Sequence, residues 1–242
     1  MTQIVAHRGN SSVAPENTLP AFAAAAFGGA HFIEIDVQVG GDGSAVVIHD
    51  AAVDRTTDGA GIVAEMRATD VKHLDAGSWF DPGFAGTALP LFADVVDLLG
   101  RFPEVGLLLE LKGAWRPEPT QALLAQLASA GVTERVIAQS FEVEMLRTLA
   151  TLAPELPRAL LVQEVTDEAL ATCAELDAVA CNPTSASVIA RPDAVDRVHG
   201  AGQQIFTWTS NDSAEWAPLV AAGVDGIITD RPDRLAGWLA AQ

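Results

Sequence analysis

Two acids stand two places apart in the run "FIEIDV" (32 to 37), Glu34 and Asp36, and Glu110 and Lys112 repeat the spacing in "GLLLELK" (106 to 112). Residues i and i+2 of a strand point to one face, so Glu34 shares a side with Asp36, and Glu110 with Lys112. Three carboxylates brought to one place repel unless protons or a cation compensate them. A hard ion such as Mg2+ or Ca2+ takes oxygen ligands of this kind and keeps positions for water and a phosphate oxygen. Glu34, Asp36 and Glu110 are therefore candidate ligands of one divalent cation, Mg2+ or Ca2+. The plainer alternative is a metal-free network in which Glu34 pairs with Lys112 or Arg8.

The other residues of this kind lie in "QIVAHRG" and "AVVIHD". His7 and His49 could flank a phosphate, one donating a proton to a leaving oxygen and the other accepting one from the attacking hydroxyl; taken singly, each also fits a structural role. Arg8 offers a fork of donors suited to phosphate and Lys112 a point charge, so two cations beside three carboxylates suggest an anionic ligand. Trp208 suits the nonpolar part of a substrate, or the core. The remaining histidines, His31, His73 and His199, are expected at the surface.

The elements that would position these residues follow from periodicity. Short β-branched runs alternate with Ala- and Leu-rich segments of helical period, the pattern of repeated βα units around a parallel sheet. Strands are expected at 3–7, 32–37, 45–49, 106–111, 136–140, 158–162, 178–182, 204–208 and 226–230. The turn "GGDGS" is too short for a parallel crossover and makes 45–49 an antiparallel return arm. Helices are expected at 18–28, 91–100, 118–130, 142–152, 167–176, 192–201, 212–222 and 232–240, with Thr18, Asn211 or Asp212, and Asp230 at helix starts. Eight strands each followed by a helix give a (β/α)8 TIM barrel of the α/β class, and catalytic residues of that fold lie at the C-terminal ends of strands.

Residues 38–90 break the repeat and read as a small insertion between the second strand and second helix, above the barrel mouth. Its Trp79, Phe80 and Phe84 are expected to form a small core of the insertion rather than a lid. One domain, 1–242, accommodates the whole chain, whose 242 residues are 49% hydrophobic.

Thirty-two acidic against fourteen basic residues give a formal charge of -18, which argues against nucleic acid or a stable association with an anionic membrane. Cys173 and Cys181 have no metal-type spacing, and the N-terminus reads directly into a strand without a signal-like segment, so a cytoplasmic protein is expected.

The ordered set "AHRG" (6–9), "PENT" (15–18), "EIDV" (34–37), "VVIHD" (46–50), "DRTTDGAG" (54–61), "ELK" (110–112), "QSF" (139–141), "WTSN" (208–211) and "GIITDRP" (226–232) resembles the glycerophosphodiester phosphodiesterase family over nearly the whole chain. The resemblance implies the barrel with its insertion and hydrolysis of glycerophosphodiesters to sn-glycerol 3-phosphate and an alcohol. By the same resemblance, Glu34, Asp36 and Glu110 hold the cation, His7 and His49 are acid and base, Arg8 and Lys112 bind phosphate, and Trp208 borders the glycerol pocket. Glu16 and Asn17 would position the site or merely open a helix. Where the family commonly reads like "PTLEE", residues 90–94 read "PLFAD", which removes an acid at Ala93. Two alternatives remain: a lysophospholipase D-type or lyase activity on lysolipids, and a non-catalytic phosphodiester-binding protein. No motif names the alcohol, the choice of metal or an oligomeric state.

Overall fold

The computed structural model describes residues 2–113 and 115–242. In chain order its first elements are β1 (Gln3–Ala6), α1 (Leu19–Phe27), β2 (Phe32–Val39), β3 (Ala45–Val47), α2 (Ala68–Val71), α3 (Phe92–Leu99) and β4 (Gly106–Leu111). There follow α4 (Pro117–Ala130), β5 (Val136–Ser140), α5 (Val143–Leu152), β6 (Arg158–Leu161), α6 (Asp167–Glu175) and β7 (Ala180–Asn182). The chain ends with α7 (Ser185–Ala190), α8 (Asp193–Gly200), β8 (Phe206–Thr207), α9 (Ser213–Ala222), β9 (Gly226–Thr229) and α10 (Pro232–Ala240).

Parallel pairing runs in the order β7-β6-β5-β4-β2-β1-β9-β8. Single parallel bridges, Ala180 to Gln204 and Thr184 to Trp208, close β7 against β8. The result is a nearly closed eight-stranded barrel with helices outside, as the sequence pattern implies. β3 lies off this path, antiparallel to β2 with Val37 opposite Val47, so the Asp-Gly turn is the hairpin expected.

Strand period sorts the residues into two layers. Ile33, Ile35 and Val37 of β2, with Leu107, Leu109 and Leu111 of β4, join Phe22, Phe92 and Leu123 in the buried layer between sheet and helices. The alternate set points into the barrel, where Phe32, Leu108, Phe206 and Ile228 form an apolar plug. Burying one such side chain contributes about 1.5–3 kcal/mol. Glu34, Asp36 and Glu110 belong to this inward set above the plug, with Asp36 opposite Glu110 across the strand pair.

Several elements differ from expectation. The run 204–208 is regular only at Phe206–Thr207, its flanks making the isolated seam bridges. The span between β7 and β8 holds two helices, because Thr184 caps α7 through the Ser187 amide at 3.3 Å and Pro192 separates α7 from α8. Thr18 stands at the start of α1, but its hydroxyl donates to the Pro15 carbonyl at 2.6 Å instead of capping. Asp212 does cap α9, accepting from the Ala214 amide at 2.8 Å, whereas Arg231, not Asp230, is the residue before α10.

The insertion packs on an aliphatic core of Val46, Ile48, Val53, Val63, Val71, Ala76 and Leu89. The expectation of an aromatic core is thereby corrected. Trp79, Phe80 and Phe84 stack edge to face on one another outside that cluster, with Trp79 41% exposed. Ala93 is exposed on α3, and the polar role at this helix start falls to Asp94, which accepts from the Leu91 amide at 2.9 Å. Among the described residues, no helix is long and apolar enough to cross a membrane.

Candidate active site

The end of β1 is shaped by an unusual turn. Arg8 adopts φ 56° and Gly9 φ 87°, and a side chain at Gly9 would come within 2.6 Å of the Ala21 carbonyl carbon. A left-handed non-glycine residue costs about 1–3 kcal/mol unless its surroundings hold it. Here the Arg8 amide donates to Glu34 Oε2 at 3.0 Å and the Arg8 carbonyl accepts from the Asn17 amide at 3.0 Å. Asn17, at φ 54°, in turn donates from Nδ2 to Asp36 Oδ2 at 2.8 Å and accepts from the Asp36 amide at 3.2 Å. "HRG" and "PEN" are thus local devices that bring a guanidinium to two strand carboxylates. Asn17 positions the site as well as preceding a helix.

Glu34, Asp36 and Glu110 are all buried, and one oxygen of each lies within 4.8 Å of the others. Lys112 Nζ stands 2.9 Å from Asp36 Oδ1 and 2.6 Å from Glu110 Oε1, and Arg8 Nε stands 3.1 Å from Asp36 Oδ2. These ion pairs are close but poorly directed: Asp36 Oδ1 and Arg8 Nε are buried without a hydrogen bond. Burial, with the charges of Asp36 and Glu110, holds the Glu34 carboxyl well above its ordinary value. Burial and Asp36 push Glu110 up to about 7. Asp36 goes the other way: burial alone would raise it, but Lys112 and Arg8 outweigh that and hold it ionised.

The ion pairs expected of a metal-free network form on Asp36 and Glu110, whereas Glu34 takes only the Arg8 backbone amide among the described residues. Arg8 and Lys112 do pair with the acids, yet they leave an oxygen of Asp36 unsatisfied and two carboxyls pushed toward the neutral form. Three clustered oxygens, one orphaned, fit a hard divalent cation.

Each histidine is tied to a carboxylate. His7 Nδ1 lies 2.6 Å from Asp230 Oδ1, which also accepts from Ser11 Oγ at 3.1 Å, while Asp230 Oδ2 accepts from Asn211 Nδ2 at 2.6 Å. Burial would raise the Asp230 carboxyl, but the hydrogen bond and charge of His7, with Asn211 and Ser11, leave it below the usual range. His49 Nδ1 lies 2.7 Å from Asp50 Oδ1. The His49 imidazole is shifted down, chiefly by burial and also by the Arg8 and Lys112 charges, against Asp36 and Asp50, which raise it. A carboxylate on Nδ1 fixes the proton there and leaves Nε2 as the working nitrogen.

A second bridge spans the mouth. Arg55 donates from Nε to Asp50 Oδ2 at 2.6 Å and from Nη1 and Nη2 to the two Glu16 oxygens at 2.9 Å each. Glu16 Oε1 also accepts from Arg8 Nη1 at 2.8 Å. One guanidinium of the insertion therefore links the carboxylate behind His49 to the one beside Arg8.

A small cavity of about 70 Å³ brings together His7, Arg8, Glu34, His49, Glu110 and Lys112 on its polar side. Trp208, Phe141 and Leu161 form its apolar wall. Trp208 is fixed by donating from Nε1 to the Asn182 carbonyl at 2.8 Å, and Phe141 meets it edge-on at 5.4 Å. His7, Arg8, Glu34, His49, Glu110, Lys112 and Trp208 thus meet at this place, with the buried Asp36 paired to Arg8 and Lys112 beside it. Asp50, Arg55 and Phe141 join the site without a role assigned from sequence, and Asp230 and Asn211 serve it beyond marking helix starts. An acid directly after a strand-end histidine, as in "HD", is the signal that would have found Asp50.

Residues 7–234 match the model of the Glycerophosphoryl diester phosphodiesterase family. A glycerophosphodiester phosphodiesterase of Caldanaerobacter subterraneus subsp. tengcongensis is 37% identical over 236 residues, covering 97% of this chain and 96% of that one. The crystal structure of a glycerophosphodiester phosphodiesterase from Agrobacterium tumefaciens superposes with a TM-score of 0.85 at 34% identity, over 98% of this chain and all (100%) of the other. An Oleispira antarctica phosphodiesterase in complex with its product sn-glycerol-3-phosphate gives 0.87 at 28% identity, covering 99% and 97%. The chain belongs to the glycerophosphoryl diester phosphodiesterase family and is an enzyme of that class.

Proposed function

We propose that the protein hydrolyses glycerophosphodiesters to sn-glycerol 3-phosphate and an alcohol with the help of one divalent cation, a reaction of glycerophospholipid breakdown. The observation that carries the reading is the meeting of His7 and His49 in one cavity above the acidic triad, each with a carboxylate on Nδ1. Such a pair serves both ends of a phosphodiester: one Nε2 takes the proton of the nucleophile and the other gives a proton to the leaving oxygen. Arg8 and Lys112 bind the phosphate oxygens, and Trp208 covers the carbon face of glycerol.

Glu34, Asp36 and Glu110 would hold the cation, Mg2+ or Ca2+, which when bound offsets phosphate charge as a Lewis acid. Arg8 and Lys112 do part of that work from the protein side, and the carboxylates orient both. Asp230 and Asp50 hold the two rings and stabilise each imidazolium as it forms. The relative crystallised with sn-glycerol-3-phosphate supports the product assignment. The substrate is a small water-soluble diester, and the two free cysteines, Cys173 and Cys181, support a cytoplasmic setting.

The test is product analysis with purified protein. Glycerophosphocholine and glycerophosphoethanolamine should each yield sn-glycerol 3-phosphate and the free alcohol. Turnover confined to micellar lysolipid would instead support the lysophospholipase D-type activity, and binding without turnover a non-catalytic role.

A further inference from the structure

A phosphodiester carries two alcohol arms on one phosphorus, and His7 and Arg8 line two cavities at once. The first is the small one with the Trp208 and Phe141 wall, about 70 Å³. The second, about 310 Å³, shares His7 and Arg8 with the first and is further lined by Ser11, Ser12, Asn211 and Arg231. No apolar residue and none of the three candidate cation ligands borders it. A phosphate seated at the shared wall would direct one arm into each space. The tight aromatic-walled cavity suits the constant glycerol arm, and the larger polar cleft suits an arm that varies.

The charges of the cleft are unevenly committed. Glu16 and Asp230 also border it, but both Glu16 oxygens are held by Arg55 and Arg8, and both Asp230 oxygens by His7, Ser11 and Asn211. Arg231 is different. Its backbone amide donates to Thr229 Oγ1 at 3.1 Å, while the guanidinium of this half-buried residue makes no ion pair or side-chain hydrogen bond among the described residues. Every other half-buried or buried arginine or lysine among them has such partners: Arg8, Lys112 and Arg197 on carboxylates, Arg135 and Arg158 on carbonyls. A guanidinium with five unused donors in the lining of a cleft, in a chain of charge -18, is a ready anion receptor.

We propose that this second cleft is the subsite for the variable alcohol arm and that Arg231 selects arms carrying an anionic group of their own, such as a second phosphate. The proposal rests on the phosphodiesterase reading above.

Two substrates differing by one charge test it. Glycerophosphoglycerol has a neutral glycerol leaving arm, whereas in bis(glycerophospho)glycerol the leaving arm bears a second phosphodiester. After allowance for its two equivalent ends, the charged substrate should have a kcat/KM about tenfold higher in the wild type, the scale of one charge-assisted hydrogen bond. That ratio should fall toward one in R231Q, drop further in R231E and be partly kept in R231K. Because a ratio does not depend on how much enzyme is folded, loss of stability alone cannot mimic this pattern. Equal kcat/KM in the wild type, or a ratio unaltered in R231Q, overturns the proposal. If the wild type hydrolyses neither compound, the functional reading fails separately. The cleft is then judged by calorimetric titration with bis(glycerophospho)glycerol: about tenfold weaker binding to R231Q supports it, and equal binding overturns it.

Discussion

The two histidines are equivalent in design, each a ring held at Nδ1 by an acid, and that pairing is the feature sequence reading did not find. Asp50 follows His49 directly, whereas Asp230 lies 223 positions from His7, so only the closed barrel brings that pair together. Replacing either histidine by alanine should lower kcat by about 10²- to 10⁴-fold with little change in a urea melt. Near-normal turnover in either variant would remove that histidine from the chemistry. Asp230 allows a separate check. Its folded pKa lies below its unfolded one, because His7, Asn211 and Ser11 outweigh burial. The unfolded chain therefore takes up the proton first as pH falls. The Asp230 contribution is complete above the unfolded value of about 4 and disappears as pH drops through the folded value. In D230N, the stability deficit against wild type should be constant from pH 7 to about 5 and shrink below about pH 4. A deficit independent of pH would contradict this account.

Elements, rather than single residues, explain why the site has its shape. The alternation of Glu34 and Asp36 with Ile33, Ile35 and Val37 was legible because period two leaves no other way to bury both sets. The eight-strand count was legible because a short Asp-Gly turn cannot connect parallel strands. The extra helix at Ser185–Ala190 and the brief β8 were not, since the seam geometry that shortens β8 is tertiary. Arg55 shows how the insertion serves the barrel. Its side chain is 46% exposed, so R55Q should change stability by only about 0–1 kcal/mol. By releasing Asp50 and Glu16 together, the same change should lower kcat/KM ten- to a hundredfold, on the order of the loss from small misplacement of catalytic groups. A large drop in stability with unchanged turnover would make Arg55 a structural tie only. Gly9 is the opposite case: at φ 87° and 2.6 Å from the Ala21 backbone, G9A should cost roughly 1–3 kcal/mol, measurable as a lower midpoint in urea.

For the whole molecule, the barrel places an apolar plug of Phe32, Phe206 and Leu108 below and a charged layer above. Above the plug, burial and mutual repulsion raise the Glu34 and Glu110 carboxyls, whereas Lys112 and Arg8 keep that of Asp36 low. A cation that binds only the folded state should therefore stabilise the protein, by about 2.7 kcal/mol at a hundredfold excess over Kd. In a chain of this size that is a rise in Tm on the order of 5–10 °C. The measurement closest to the central claim is release of sn-glycerol 3-phosphate from glycerophosphocholine after chelation and again after Mg2+, Ca2+ or Mn2+ is restored, in wild type and E34Q. Activity that vanishes on chelation, returns with a divalent cation and is poorly restored in E34Q is the predicted result. Full turnover in the chelated protein, or an E34Q variant with unchanged activity and metal response, would contradict it.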